Sequence, residues 1–179
     1  MKKTDRFSAG SRWLHGIVAV IVIAMLSGSF FLEDLPDPIK GTSIMLHKSF
    51  GLTVLWLMLL RMVWIFHSGR PDLPESTPCW ERMLSRFVQY SFYGLLIAMP
   101  LCGWAMSMAA GHVPSYFSIV SLPLPAIPQS KALSEFLFQM HQMIAWILIM
   151  FIVVHVLGAL KHYFINKDRV LQRMFSSRG

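Results

Sequence analysis

Four long apolar stretches constrain the fold of this chain more than any other feature. Each reaches the roughly 20 residues that an α-helix needs to cross the hydrocarbon core of a bilayer. Only 14% of the 179 residues are charged, whereas soluble domains carry about 25%, so most of the surface is not suited to water. The predicted membrane spans run from Trp13 to Leu32, from Ile44 to Phe66, from Phe87 to Ala110 and from Phe136 to Leu160.

The spans predict an all-α fold, an integral membrane four-helix bundle in which residues 1–179 form a single transmembrane domain. This excludes a soluble enzyme, and the net charge of +7 indicates loops beside anionic lipid rather than a nucleic-acid binder.

Cys79 and Cys102 fall at different depths and are not expected to pair. The chain has no C-x-x-C-H motif, which excludes covalently attached haem. Residues 111–130 contain four prolines, so we expect a non-helical segment that lies as a lid over the outer end.

Positive charge predicts the orientation of the bundle, because cytoplasmic loops carry an excess of Lys and Arg. One side has only Lys40, Lys48 and Lys131. We therefore expect both termini in the cytoplasm. The positive residues on the predicted cytoplasmic side are Lys2, Lys3, Arg6, Arg12, Arg70, Arg82, Arg86, Lys161, Lys167, Arg169, Arg173 and Arg178.

Four of the seven histidines fall within the predicted spans, at two depths. His47 and His141 lie near the outer ends of spans two and four, whereas His15 and His155 lie near the inner ends of spans one and four. Ionisable groups inside membrane spans are functional by default, and a group held in a helix bundle draws its ligands from facing helices. The sequence therefore predicts two ligand pairs, one near each membrane face.

The spacing of these histidines favours haem. Fourteen residues separate His141 from His155, which is about 40° short of four turns and about 21 Å of rise, so the side chains share a face at two levels. Two b haems with two axial imidazoles each fit this pattern. Gly51 and Gly158, about one turn from His47 and His155, would leave room for a flat porphyrin. Zinc also binds imidazole, but its sites usually add carboxylate or thiolate ligands, and the spans carry no Asp or Glu near these histidines.

Arg61 lies within span two, fourteen residues after His47 and therefore on the same helical face, about 21 Å further inward. A buried arginine needs an anionic partner, and no carboxylate of the spans falls at that depth. We predict that Arg61 binds a propionate of the inner haem through its planar guanidinium. The alternative is an arginine that extends to the cytoplasmic interface.

A further histidine, His162, follows His155 by seven residues, within about 20° of the same face and about 10 Å further inward. Beside Lys161 at the cytoplasmic interface, it can hydrogen-bond a quinone carbonyl and relay a proton. The alternative is an ordinary interfacial histidine. His67 and His112 fall in predicted loops and are expected to be surface residues.

The histidines lie in the segments SRWLHG, MLHKSFG, QMHQMIAW and VVHVLGALKHYF, and the chain closes with NKDRVLQRM. This ordered set resembles the bacterial cytochrome b561 family over essentially the whole chain. The resemblance implies a small dihaem quinol oxidoreductase of the bacterial inner membrane, with two haem b groups and with ubiquinone as substrate or bound cofactor. It also implies axial ligands at His15, His47, His141 and His155, and a quinone-side histidine at His162.

The best-characterised type of this family oxidises superoxide to oxygen and passes the electron to ubiquinone. The resemblance thus implies a superoxide oxidase, with the anion drawn toward Lys48, Lys131 and His112. Many members carry a histidine on the third span where this chain has Gln89, which can hydrogen-bond a quinone but cannot carry a proton. Two alternatives stay open: a haem b anchor subunit that links the quinone pool to a partner dehydrogenase or hydrogenase, and a metal transporter lined by histidines.

Overall fold

A computed structural model of the chain describes residues 7–69 and 77–168. All four of its helices are long and apolar enough to cross a membrane, which confirms the predicted four-helix membrane bundle. They are α1 (Ala9–Ser29), α2 (Asp37–Ser68), α3 (Cys79–Ala109) and α4 (Lys131–Phe164). The orientation of the bundle stays a prediction. Several residues on which it rests lie outside the described ranges: Lys2, Lys3, Arg6, Arg70, Arg169, Arg173 and Arg178.

Helix ends differ from the predicted span ends because a helix can continue past the limit of the hydrocarbon. The Ser130 hydroxyl accepts a hydrogen bond from the Leu133 N–H at 3.3 Å, and this N-cap starts α4 about one turn before its predicted span. α2 and α3 begin about two turns before their predicted spans, each directly after a proline. α1, in contrast, stops at Ser29 rather than at the predicted Leu32. α2 ends at Ser68. The next residue, Gly69, caps the helix and has a φ of 73°, in the left-handed region that glycine tolerates.

The helices pack in chain order, α1 against α2, α2 against α3 and α3 against α4. In the described part of the chain, α4 makes few close backbone contacts with α1 or α2. The outer surface is apolar, and the side chains of Phe66 and Trp13 are 85% and 74% exposed, as expected for residues that face lipid. The core residues come from all four helices and are Val18, Val22, Val54, Met58, Leu96, Ile144 and Leu148.

The two ends of the bundle differ in their connections. We call the end that carries residues 30–36 and 110–130 the outer end, and the opposite end, where α1 begins and α4 finishes, the inner end. The core lies between them. Both α1 and α3 therefore run from the inner to the outer end, whereas α2 and α4 run from the outer to the inner end.

The proline-rich segment at the outer end forms a small hairpin of β1 (Ser115–Tyr116) and β2 (Val120–Ser121). Phe117 and Ser118 at its turn have φ of 48° and 59°, the positive values that a type I′ turn requires. α2 anchors the hairpin, because the buried Ser49 hydroxyl accepts the Phe117 N–H at 2.9 Å. As predicted, residues 111–130 are not helical, and β1 of this segment lies against α2.

Candidate functional site

The structure brings the four span histidines together as two pairs. His15 on α1 and His155 on α4 have ring centroids 6.2 Å apart at an interplanar angle of 68°. His47 on α2 and His141 on α4 have centroids 6.3 Å apart at 67°. The two pairs thus share one geometry although they use different helices. These are the partners that the depth argument predicted, and their role as haem ligands stays a prediction.

The spacing within each pair fits a metal atom between the rings. Two imidazoles joined by a hydrogen bond of about 2.9 Å would place their centroids about 5 Å apart. An imidazole nitrogen binds a metal ion at about 2 Å, so two rings on opposite sides of one metal atom have centroids about 6 Å apart. The observed 6.2 and 6.3 Å match the second case. A pair of neutral imidazoles is a suitable set of axial ligands for haem iron.

The two glycines near the histidines have open surroundings. The sparse backbone contact of α4 with α1 and α2 leaves the helices apart where the pairs form. A Cβ atom added to Gly158 would meet no atom within 4 Å, and one added to Gly51 would meet only the Met25 Cε atom, at 3.7 Å. The ring of His155 is also exposed among the protein atoms. These surroundings are compatible with a flat porphyrin, and the role of the two glycines stays a prediction.

α3 holds the ring of His141 in place. His141 Nδ1 lies 3.1 Å from the Met99 carbonyl oxygen, and because a carbonyl can only accept, Nδ1 carries the proton. This leaves Nε2 with the lone pair that a metal ligand needs. The close approach depends on Gly103, where a Cβ atom would lie 3.0 Å from His141 Cε1. Sequence reasoning missed Met99 and Gly103, because their contact depends on how closely α3 and α4 pack.

Aromatic side chains and Arg61 surround the inner pair. Phe92 on α3 packs edge-on against His155, with ring centroids 5.5 Å apart at 83°. Arg61 lies near enough to His15 and His155 to interact electrostatically with both. Its guanidinium carbon is 5.8 Å from the centroid of the Tyr93 ring. α2 therefore brings Arg61 to the inner pair, at the depth predicted from the sequence.

Two ionic contacts lie at the inner end. Lys161 Nζ is 2.6 Å from Glu81 Oε1, which ties α4 to the start of α3. His162 Nδ1 is 2.6 Å from Asp168 Oδ2. The residues predicted for the quinone site thus have separate acidic partners. The sequence did not predict either partner, because Glu81 is distant in the chain and Asp168 lies beyond the last predicted span.

Three other polar residues singled out in the sequence have local partners. The Gln89 side-chain amide donates to the Ser85 hydroxyl at 3.3 Å, one turn earlier on α3. The predicted loop position of His67 is wrong, because α2 continues through this residue. The His67 ring packs against Phe66 with centroids 5.8 Å apart. His112 follows α3, as predicted, and its backbone N–H donates to a carbonyl of the last helical turn.

A cavity of about 280 Å³ opens at the outer end between α3 and α4. Lys48 lines it and donates from Nζ to the Ser107 hydroxyl at 2.9 Å, and this hydroxyl donates to the His112 carbonyl oxygen at 2.7 Å. Lys131, another predicted attractor of superoxide, lies 3.7 Å from Glu135 on the same exposed helix face. Its charge is therefore partly balanced. Lys48 lies in the cavity wall, which Glu135 also lines.

The donor set argues against an ordinary zinc site. Among residues 7–69 and 77–168, no three His, Cys, Asp or Glu side chains converge as ligands of one metal ion. Structural zinc sites need about four protein ligands. A histidine pair suffices only where the bound group supplies the remaining ligands itself, as a porphyrin does for iron. Fold and site together therefore define a class of protein, a four-helix membrane bundle suited to haem.

Comparison with known proteins supports this class. The family described as prokaryotic cytochrome b561 matches residues 6–177. Cytochrome b561 homolog 2 of Escherichia coli (strain K12) is 30% identical over 173 residues, covering 95% of this chain and 91% of that protein. Cytochrome b561 homolog 1 of the same strain is 25% identical over 179 residues, with coverage of 97% and 99%. A protein of Yersinia pestis named "Probable superoxide oxidase CybB" is 26% identical over 167 residues, with coverage of 92% and 93%.

The chain belongs to the prokaryotic cytochrome b561 family, since the family match extends over almost all of its length. It is accordingly a haem b membrane protein of electron transport and an oxidoreductase. With four spanning helices and bacterial relatives, it is a multi-pass protein of the bacterial inner membrane.

Proposed function

We propose that the chain binds two b haems, one at each histidine pair, and transfers single electrons from superoxide at the outer end to ubiquinone at the inner end. The observation that carries this proposal is the equal spacing of the two pairs, 6.2 and 6.3 Å. On α4 the residues between His141 and His155 place the two levels about 21 Å apart. Haem b, when bound, supplies reversible one-electron transfer.

The chain has a distinct task at each level. His15 and His155 hold the inner haem, and His47 and His141 hold the outer one. Arg61, beside the inner pair, binds a propionate through its planar guanidinium. The residues between the two levels exclude water from the space and keep the helices at a fixed separation. They are the apolar core residues Val18, Val22, Val54, Met58, Leu96, Ile144 and Leu148.

The outer cavity supports an anionic donor. Two superoxide anions each give up one electron and leave as O₂, and ubiquinone takes up two electrons and two protons to become ubiquinol. Lys48 follows His47 on α2 and lies in the cavity wall, where a cation in a partly apolar setting attracts an anion more strongly than it would in water. One relative, at 26% identity, is named for superoxide oxidation.

The inner end supports the acceptor. His162 lies about two turns past His155 on the same face of α4, so its ring can hydrogen-bond a quinone carbonyl near the inner haem. Lys161, tied to Glu81 at 2.6 Å, lies beside this site and holds the ends of α3 and α4 together. Protons from the cytoplasm would reach the quinone here.

Haem content per chain tests the cofactor assignment. A pyridine haemochrome assay should give two haem b groups for the unmodified chain. His47→Ala or His141→Ala should leave one haem, and so should His15→Ala or His155→Ala, with a different haem lost in each case. His67→Ala is the matched control and should keep both. Retention of both haems after His47→Ala would contradict the pairing.

A second assay tests the donor. The purified chain, with haem bound and ubiquinone added, should reduce the quinone when superoxide is generated, without any other protein. Superoxide dismutase should abolish the reaction. A chain that stays inactive until a dehydrogenase or hydrogenase is supplied would replace this proposal with the anchor-subunit alternative.

A further inference from the structure

The segment after α4 folds back over the last helical turn. The Ile165 and Asn166 N–H groups both donate to the Lys161 carbonyl, at 2.9 and 3.1 Å, and the Asp168 N–H donates to the His162 carbonyl at 3.2 Å. Lys167 has a φ of 52°, a left-handed conformation that reverses the chain direction after a helix. The reversal brings the side chain of Asp168 back to α4.

The returning carboxylate meets one ring nitrogen of His162. Asp168 Oδ2 lies 2.6 Å from His162 Nδ1, and the two side chains are only 18% and 12% exposed. The contact is short, and hydrogen bonds to a carboxylate are shorter and stronger than those between neutral groups. The Asn166 side-chain amide also lies near Nδ1, at 3.2 Å. Because Nδ1 is engaged by this cluster, Nε2 is the ring nitrogen available for proton exchange.

A carboxylate on Nδ1 does two things to a histidine. It fixes the rotation of the ring, and it determines which nitrogen exchanges a proton with another molecule. Lys161, the residue before His162, pairs with Glu81 on α3. The arrangement at the end of α4 is thus an acid–histidine pair on the helix face that carries His155.

We propose that Asp168 is a positioning residue that holds His162 as the proton donor to ubiquinone; this rests on the proposed function. The charged ring donates its Nδ1–H to Asp168 and gives its Nε2 proton to a quinone oxygen. The neutral ring then takes a proton from cytoplasmic water. Two such cycles supply the two protons of ubiquinol, and two superoxide anions at the outer end supply the two electrons.

Substitution of Asp168 separates this role from a merely structural one. Asp168→Asn keeps the size of the side chain and the backbone hydrogen bond to the His162 carbonyl, but it removes the negative charge. General acid catalysis contributes roughly 10²–10⁴-fold to a rate. The variant keeps the imidazole and should lose only part of this contribution, so we expect kcat for quinone reduction to fall by at least about tenfold. The KM for quinone, the haem content and the rate of haem reduction by superoxide should not change.

Two matched variants complete the experiment. Asp168→Glu should recover most of the rate because it restores the carboxylate, whereas Asn166→Ala, which removes the uncharged contact to the same ring nitrogen, should stay within about twofold of the unmodified chain. Equal losses for Asp168→Asn and Asn166→Ala would show that the turn, not the charge, matters, and would overturn the proposal.

The same measurements distinguish failure of this inference from failure of the proposed function. If Asp168→Asn reduces quinone normally while His162→Ala is slow, the role of Asp168 is refuted and the quinone site at His162 stands. If both variants reduce quinone normally, the quinone site at His162 is itself wrong.

Discussion

Gly103→Ala should selectively weaken binding of the outer haem. The added Cβ atom would lie 3.0 Å from His141 Cε1 and 3.3 Å from Nδ1, whereas ordinary van der Waals contacts of carbon begin near about 3.5 Å. The imidazole must therefore move away from α3 by a few tenths of an ångström. The hydrogen bond from Nδ1 to the Met99 carbonyl, now 3.1 Å, would then stretch beyond its useful range.

The size of the effect follows from this lost hydrogen bond. Groups that orient a metal-binding histidine contribute about 10–100-fold to metal affinity, which corresponds to about 1.4–2.8 kcal/mol. Alanine is also a better helix former than glycine by up to about 1 kcal/mol. The variant should therefore fold at least as well as the unmodified chain while it holds its outer haem less tightly. Because folding stability should not fall while the affinity for the outer haem does, the variant separates a specific effect on haem binding from general destabilisation.

The assay follows the transfer of haem from the chain to an excess of a haem-binding acceptor protein. Two kinetic phases are expected, and only the phase of the outer haem should become about 10–100-fold faster in Gly103→Ala. Gly94→Ala is the matched control, since Gly94 lies nine residues earlier, on the opposite side of α3, and an added Cβ atom there meets nothing within 4 Å. Equal transfer kinetics for the two variants would refute the reasoning.

Three further predictions follow from other contacts. Arg61→Leu should lower the reduction potential of the inner haem by about 60 mV, a tenfold change for one electron, because a nearby cation favours the reduced state. A redox titration would measure this shift, and an equal shift at the outer haem would contradict the prediction. Lys48→Gln should lower kcat/KM for superoxide by about tenfold and weaken the salt dependence of kcat/KM. In the control, Lys131→Gln should change kcat/KM by less than about twofold because Glu135 is adjacent to Lys131. Ser49→Ala leaves the Phe117 N–H without its acceptor, so it should cost about 1–3 kcal/mol, seen as a lower Tm with unchanged haem content.

The sequence was informative about everything that depends on hydropathy and helical repeat. The four apolar stretches predicted four helices, and the positions of His15, His47, His141 and His155 along them predicted which side chains share a depth. A helix in a membrane has a known rise per residue, so depth can be counted directly. The choice of partner within each pair seen in the structure follows from that count, whereas the centroid distances of 6.2 and 6.3 Å do not.

Contacts that depend on the distance between helices, or on a turn outside the membrane, could not be counted in this way. Gly103 is one of 11 glycines, and only the close approach of α3 to α4 gives it a role. Asp168 approaches His162 because Lys167 adopts a positive φ, which hydropathy does not reveal. Helix ends differed for the same reason, since Ser130 and its capping hydrogen bond lie in a polar segment that hydropathy assigns to the loop.

The polar partners along α4 follow the chemistry proposed for each end. At the outer end, His141 binds a backbone carbonyl, a partner that cannot titrate and that determines which ring nitrogen of the neutral imidazole carries the proton. Oxidation of superoxide releases an electron and no proton, so a fixed partner is sufficient there. At the inner end, His162 binds a carboxylate, which can stabilise a charged ring, and reduction of ubiquinone consumes two protons. Under the proposed function, electron transfer and proton uptake would thus use different kinds of histidine partner at opposite ends of one helix.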